Sequence, residues 1–216
     1  MRKDIIILGT GGLAKEMALV IEHVNAREHR WDIKGFISDK AEEIGKDLGY
    51  GKVIGDDAWL LAQNLEADLV LGIGYPKIRA KVMPQYLQQR HRFQFPNLIH
   101  PSAILDFHRI ELGEGNVITA GCVFTCDIKV GSFNLFNLNT TVGHDVIVGD
   151  YNVFNPSVNL SGNVQIGNGV LTGTGCQILE RLSIGNNVTM GAGAVVTKNV
   201  PDSLTVIGVP AKPKTL

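Results

Sequence analysis

The chain has no excess of either charge, no long apolar run, few aromatic rings and few cysteines. Lys and Arg number 20 against 21 Asp and Glu, for a net charge of −1. No global field therefore draws the protein to nucleic acid or to an anionic membrane. No stretch reaches the roughly 18 apolar residues of a membrane span, and MRKDIIILGTGG at the N-terminus lacks the pattern of a cleaved signal. The expected compartment is the cytoplasm. The three cysteines, Cys122, Cys126 and Cys176, show no CxxC spacing, so neither a disulfide framework nor a zinc site is expected. Aromatic residues make up 6% of the chain, whereas glycine supplies 25 of its 216 residues. Sparse rings with abundant glycine imply a tightly turning backbone that carries small side chains. The length suffices for one large domain or two small ones, each with a core of its own.

The first hundred residues alternate strand-like and helix-like segments. Ile5 to Leu8 is a short, mostly β-branched run ended by Gly9, and Leu13 to Val24 carries helical spacing at Met17, Val20, Ile21 and Val24. Ile33–Ile37 and Ala67–Ile73 read as strands, and Asp57–Leu65 and Pro76–Gln89 as helices, with Pro84 a break or end of the last. Such alternation predicts a parallel sheet covered by helices, a small Rossmann-like α/β domain over residues 1–98.

From residue 99 the pattern changes. Aliphatic-glycine pairs stand at Leu112-Gly113, Val130-Gly131, Val148-Gly149, Ile166-Gly167 and Ile184-Gly185, each 18 residues after the last. Between them every sixth position is again mostly apolar, with Thr172 the exception. A six-residue period taken three times makes one triangular coil, and stacked coils make a parallel β-helix over residues 99–216. Residues 18 apart then share a column with the inter-strand spacing of about 4.8 Å. The column through His144 reads His108, Cys126, His144, Gly162, Glu180. With Val142 pointing inward, His144 should project at a corner, where Gly162 in the next coil leaves room for a substrate and a backbone N–H for an oxyanion. Imidazole is suited to accept a proton near neutral pH.

NLIHPSAIL (Asn97–Leu105), the GHD of Gly143–Asp145, VIGVPAK (Val206–Lys212) and the N-terminal GTGGLAKE together make the chain similar to the NeuD-like and PglD-like sugar acyltransferases. The resemblance implies a left-handed β-helix, acetyl-CoA as co-substrate, no metal, a homotrimer with active sites between subunits, and a nucleotide-linked amino sugar as acceptor. It further implies His144 as general base, oriented by Asp145, and acetyl-CoA contacts at Val153, Gly162, Thr174 and Ala192. Relatives commonly carry histidine where this chain has Val153 and Leu13. Direct transfer is the family's route; a covalent acetyl-cysteine on Cys126 is the rival, and nothing in the sequence activates that thiol except the proximity of His144 in the same column.

Gly9-Thr10-Gly11-Gly12-Leu13-Ala14 fits GxGxxA between a strand and a helix, which aims helix N–H groups at a phosphate. A dinucleotide enzyme would need a hydride-transfer domain, and the β-helix leaves no chain for one. In the resembling family this loop holds the diphosphate of a UDP-sugar, with Gly9, Gly11, Gly12 and Leu13 in the loop and Asp39 near the nucleoside. GIGYPKIR (Gly72–Arg79) is a second strand-to-helix turn, in which Gly74 allows close approach and Lys77 or Arg79 would neutralise phosphate. The expected activity is N-acetylation of the 4-amino group of a UDP-linked sugar for a surface glycan. Alternatives are O-acetylation of sialic acid or another sugar, N-acetylation of a GDP-linked sugar, a nucleotide-sugar-binding scaffold, and a metalloenzyme of the γ-carbonic-anhydrase type. The last needs three histidines, and the coils offer His108 and His144, two turns apart.

Overall fold

A computed structural model of the chain describes residues 2–214. It divides into two compact units, one reaching to Gly74 and resuming over Ile78–Pro101, the other comprising Tyr75–Lys77 and the chain from Ser102 onward.

In the first unit, β1 (Lys3–Leu8) is the central strand of a five-stranded sheet. It is followed by α1 (Gly12–Glu28), β2 (Trp31–Ile37), β3 (Val53–Gly55), α2 (Asp57–Ala62), β4 (Ala67–Leu71), α3 (Pro76–Leu87) and β5 (Phe93–Gln94). The strand order is β3-β2-β1-β4-β5 and every pairing is parallel. Ile5, Ile6, Ile7 and Leu8 are at most 1% exposed, as expected of a continuous aliphatic run in a sheet covered on both faces. Helix α1 buries Ala14, Met17, Ala18, Val20, Ile21 and Val24, one stripe of helical period.

Pro84 does not end α3, contrary to the expectation from sequence. The helix continues to Leu87, with the Gln88 N–H donating to the Pro84 carbonyl at 3.3 Å. Met83 and Tyr86, flanking the proline, are fully buried, and their packing offsets the rung that proline cannot make. The Tyr86 hydroxyl donates to Asp57 Oδ1 at 2.6 Å, and burial together with that carboxylate keeps the phenol protonated well above its ordinary range. Helix α2 is shorter than expected. Asp56 caps its start by accepting from the Trp59 N–H at 2.7 Å, and it stops before Gln63.

The second unit is a left-handed parallel β-helix whose strands pair at a register of 18 residues. Val130 pairs with Val148, Val148 with Ile166, and Ile166 with Ile184 along one sheet. Thr141, Asn159, Gln177 and Val195 follow one another along a second, and Leu135, Val153, Leu171 and Thr189 along the third. The interior is filled by the sixth-position residues and those two before them. Phe136 stacks on Phe154 with ring centroids 4.8 Å apart, and Phe124 meets Phe136 edge-on at 4.9 Å. Asn116, Asn134 and Asn152 form a buried ladder, each amide oxygen accepting a backbone N–H from the coil above. The final turn departs from the period: Thr189 pairs with Thr205 and Met190 with Val206, a step of 16.

Close packing of coils explains the repeated glycines. A Cβ on Gly131 would lie 2.8 Å from the Gly149 carbonyl oxygen, and one on Gly149 equally close to that of Gly167. These are contacts that real Cβ atoms do not make, so glycine is required where coils touch backbone to backbone. At every sixth residue from Gly115 to Gly193 the chain turns a corner through the left-handed region, with φ between 55° and 73°. Glycine, Asn and Asp fill most of these corners, as their low left-handed cost predicts.

Candidate active site

His144 lies in the turn that follows the strand Thr141–Val142. Val142 is 1% exposed and faces the interior, which places His144 at a corner of the prism. The next residue, Asp145, is the left-handed corner residue, with φ 59°. Neighbours in an extended strand point to opposite sides. The left-handed step instead folds the Asp145 carboxylate back, so that Oδ2 lies 2.7 Å from His144 Nδ1. A carboxylate only accepts, so Nδ1 carries the proton and Nε2 keeps a free lone pair in the neutral ring. Both side chains are more than half exposed, at 59% and 53%.

The column predicted from the period is present. Asp145 donates its N–H to the Cys126 carbonyl at 3.1 Å, and Asn163 donates to that of His144 at 2.8 Å. A Cβ on Gly162 would stand 2.5 Å from His144 Nε2. The space left by Gly162 therefore holds the imidazole ring itself, rather than a substrate as the sequence alone suggested. Glycine at 162 is what lets the ring lie along the column, with Nε2 close to the next coil.

Thr174 and Ala192 share a column, the Gly193 N–H donating to the Thr174 carbonyl at 2.8 Å, and both are exposed. Val153 is different. It is 1% exposed, so its side chain offers no surface to a ligand, unlike the contact expected from the resemblance. Cys126 is half-buried, whereas Cys122 and Cys176 are buried. Burial raises the Cys122 thiol and pushes that of Cys176 up to about 12, so neither supplies a thiolate near neutral pH. Among the described residues no group of three His, Cys, Asp or Glu side chains is placed to hold a metal ion.

In the first unit, the glycine loop lies between the carboxyl ends of β1 and β4, where the strand order reverses and open α/β sheets hold their ligands. The Gly72 N–H donates to the Leu8 carbonyl at 2.8 Å. A Cβ on Gly9 would meet the Gly72 oxygen at 3.0 Å, and one on Gly72 would meet the Ala14 Cα at 2.7 Å. Gly9 also has φ 114°, so the tight turn needs glycine twice over. Gly11 and Gly12 face open space, with no atom within 4 Å of where a methyl carbon on either would stand. A Cβ on Gly74 would stand 3.6 Å from Leu13 Cδ2 across the two loops, an ordinary contact. Helix α1 begins after Gly11 with no side-chain cap and no acidic residue in its first turn, leaving its N–H groups and positive dipole end for an anion. Asp39 and Lys77 are exposed.

Arg79 corrects the sequence reading. It is fully buried, and its Nη1 donates to the Ile73 carbonyl at 2.7 Å. It braces the second loop through that carbonyl and is not a surface charge. Sequence reasoning also passed over a polar cluster at the end of β2. Thr10 Oγ1 donates to Glu43 Oε2 at 2.5 Å and Ser38 Oγ to the same oxygen at 2.7 Å. These hydrogen bonds from Thr10 and Ser38, aided by Lys40 and Lys46, hold the Glu43 carboxyl below the usual range. The available signal was Thr10, the one position between Gly9 and Gly12 that bears a side chain.

Comparisons with known proteins agree with this anatomy. The PglD N-terminal domain family matches residues 4–86, and the bacterial transferase hexapeptide family, described as six repeats, matches residues 163–198. The acetyltransferase domain of PglB from Neisseria gonorrhoeae superposes with a TM-score of 0.88 at 30% identity, covering 99% of this chain and 100% of that one. A variant of perosamine N-acetyltransferase from Caulobacter crescentus, in complex with CoA and GDP-perosamine, gives 0.83 at 32% identity, over 98% and 97% of the two chains. WeeI from Acinetobacter baumannii gives 0.84 at 28% identity, over 97% and 99%. A search of curated protein sequences gives no match. Both units match, in one order and over nearly the full length, so the chain belongs to the PglD-like family of hexapeptide-repeat sugar acyltransferases.

Proposed function

We propose that this protein transfers the acetyl group of acetyl-CoA to the amino group of a nucleotide-linked amino sugar. The observation that carries the chemistry is the His144 Nδ1–Asp145 contact of 2.7 Å, which fixes the tautomer and leaves Nε2 as the base. The sugar amine attacks the thioester carbonyl, and Nε2 takes the proton the nitrogen must lose. The tetrahedral intermediate collapses to the amide, and the coenzyme A thiolate leaves to be protonated. Asp145 favours the imidazolium that forms. No covalent intermediate is needed, and Cys126 takes no part.

Residues 1–98 serve in this reading as the nucleotide-sugar domain and residues 99–216 as the acetyltransferase domain. Gly9, Gly11, Gly12 and Leu13 with the α1 amides receive the diphosphate, Gly74 admits it closely, Lys77 neutralises it, and Asp39 approaches the nucleoside. Acetyl-CoA lies outside the β-helix against Thr174 and Ala192, and meets the coil of Gly162 beside the His144 ring that covers it. Val153, whose side chain is buried, makes no side-chain contact with acetyl-CoA in this reading. The protein works as a homotrimer in the cytoplasm, in the supply of precursors for a surface glycan. The acceptor is read as the 4-amino group of a UDP-linked sugar. A GDP-linked acceptor is the second reading, favoured by the complex of the Caulobacter crescentus relative with GDP-perosamine.

The test is release of the coenzyme A thiol with a panel of UDP- and GDP-linked 4-amino sugars. Wild-type protein releases thiol with an amino sugar and not with its hydroxyl counterpart. His144→Ala lowers the rate by about 10²–10⁴ while retaining the native circular dichroism. Asp145→Asn lowers kcat by about tenfold or more, because the amide oxygen can still accept from Nδ1 but no longer brings the charge that favours the imidazolium. Full activity in His144→Ala, or reaction with hydroxyl acceptors only, would refute the assignment.

A further inference from the structure

The glycine loop is held by a carboxylate from outside both of its strands. We propose that Glu43 is a positioning residue for nucleotide binding, anchoring Thr10 so that the Gly9–Gly12 loop keeps the α1 amides turned toward the ligand. The inference rests on the reading that the first unit binds the nucleotide.

Three of the four loop residues are glycine, so Thr10 is the one place where a side-chain anchor can attach. Fixing so glycine-rich a segment costs more backbone entropy than fixing any other. An anchor made before the ligand arrives removes that cost from the binding step. Glu43 comes from the short helical turn Ala41–Glu43 beyond β2, and one oxygen, Oε2, takes both hydroxyls: Thr10 at 2.5 Å and Ser38 at 2.7 Å. Ser38 is itself 2% exposed and accepts the Lys40 N–H at 3.2 Å, so the anchor point is rigid. Lys40 Nζ stands 3.7 Å from the other Glu43 oxygen. Bonds to an ionised acceptor are about twice as strong as neutral ones.

Thr10 immediately precedes Gly11, the cap residue of α1, and its hydroxyl is bonded to Glu43. Helix α1 starts with no side-chain cap. Its first amides stay unspent, and Gly11 and Gly12 leave the approach to them open.

Calorimetric titration with UDP and with GDP, and separately with coenzyme A, tests this on wild type, Glu43→Ala, Glu43→Gln, Thr10→Val and the Glu43→Ala/Thr10→Val double variant. Glu43→Ala and Thr10→Val each weaken binding of the preferred nucleotide by about tenfold, equivalent to ~1.4 kcal/mol. The double variant is no weaker than either single one, because both remove one anchor. Glu43→Gln, which keeps an acceptor oxygen, recovers part of the loss. Coenzyme A binding stays within about twofold throughout. Unchanged nucleotide affinity in Glu43→Ala and Thr10→Val overturns the anchor, and so does a parallel fall in coenzyme A affinity, which marks general damage. Wild-type protein that binds neither UDP nor GDP overturns the nucleotide reading itself, a failure distinct from that of Glu43.

Discussion

His144 and Asp145 meet because one of them occupies a left-handed corner. Aspartate tolerates that conformation better than most residues, so one choice at position 145 both closes the coil and supplies the acceptor for Nδ1. The position of the histidine was legible from the period of 18, and so was Gly162 as its neighbour in the column. The use made of Gly162 was not legible, because a missing side chain reads equally as room for ligand or room for a ring. Gly162→Ala decides how much the ring placement matters. Its Cβ would fall 2.5 Å from Nε2, forcing the imidazole aside. We expect kcat to fall by about a hundredfold, the cost of a catalytic group misplaced by ~1 Å. Gly162 is not among the residues with positive φ, so the thermal transition should move little. Undiminished turnover in this variant would show that the ring has another working position.

At the scale of elements, the β-helix is an arrangement of columns, and each column imposes one demand. Columns where coils touch through backbone demand glycine, corner columns demand a left-handed residue, and inner columns demand volume without unpaired polarity. Thr172 meets the last demand poorly. It follows Phe136 and Phe154 in an inner column, is wholly buried, and its hydroxyl finds no partner among the described residues. The interruption at Thr172 was visible in the sequence, yet only burial shows that it carries a cost. Thr172→Val removes the hydroxyl while nearly preserving shape. It should stabilise the protein by about 1 kcal/mol, raising Tm by roughly 2–4 °C for a chain of this size. A lowered Tm in differential scanning calorimetry would mean that the hydroxyl is satisfied in solution. Helix α3 teaches the complementary lesson. Pro84 is a sound local signal for an end, but the burial of Met83 and Tyr86 on either side overrides it.

The whole molecule joins two folding patterns, a parallel sheet with helices and a stacked prism, and each unit presents its own candidate site. Leu138, Ile147 and Leu179 of the β-helix are each at least 40% exposed in the single chain. Exposed aliphatics on a flat-faced prism favour burial by cyclic association. Light scattering during gel filtration should accordingly give three times the 23.4 kDa of one chain. Ile147→Glu, which sets a charge on such a face, should shift the population toward monomer. A monomeric wild type at micromolar concentration would contradict this. Among the described residues no helix is long and apolar enough to cross a membrane.

The sequence by itself determined the two-part architecture, the coil period and the column of His144, because these follow from spacing, and spacing survives without coordinates. It also marked the glycine loop after β1. Tertiary structure decided what spacing cannot carry: that the His144 ring fills the gap above Gly162, that Val153 is buried, and that Arg79 is buried and braces its loop. It alone brought Glu43 to Thr10, residues 33 positions apart, joined only once the end of β2 lies beside that of β1. Periodicity is a property of the chain. A contact between distant polar groups belongs to the folded surface that brings them within hydrogen-bonding reach.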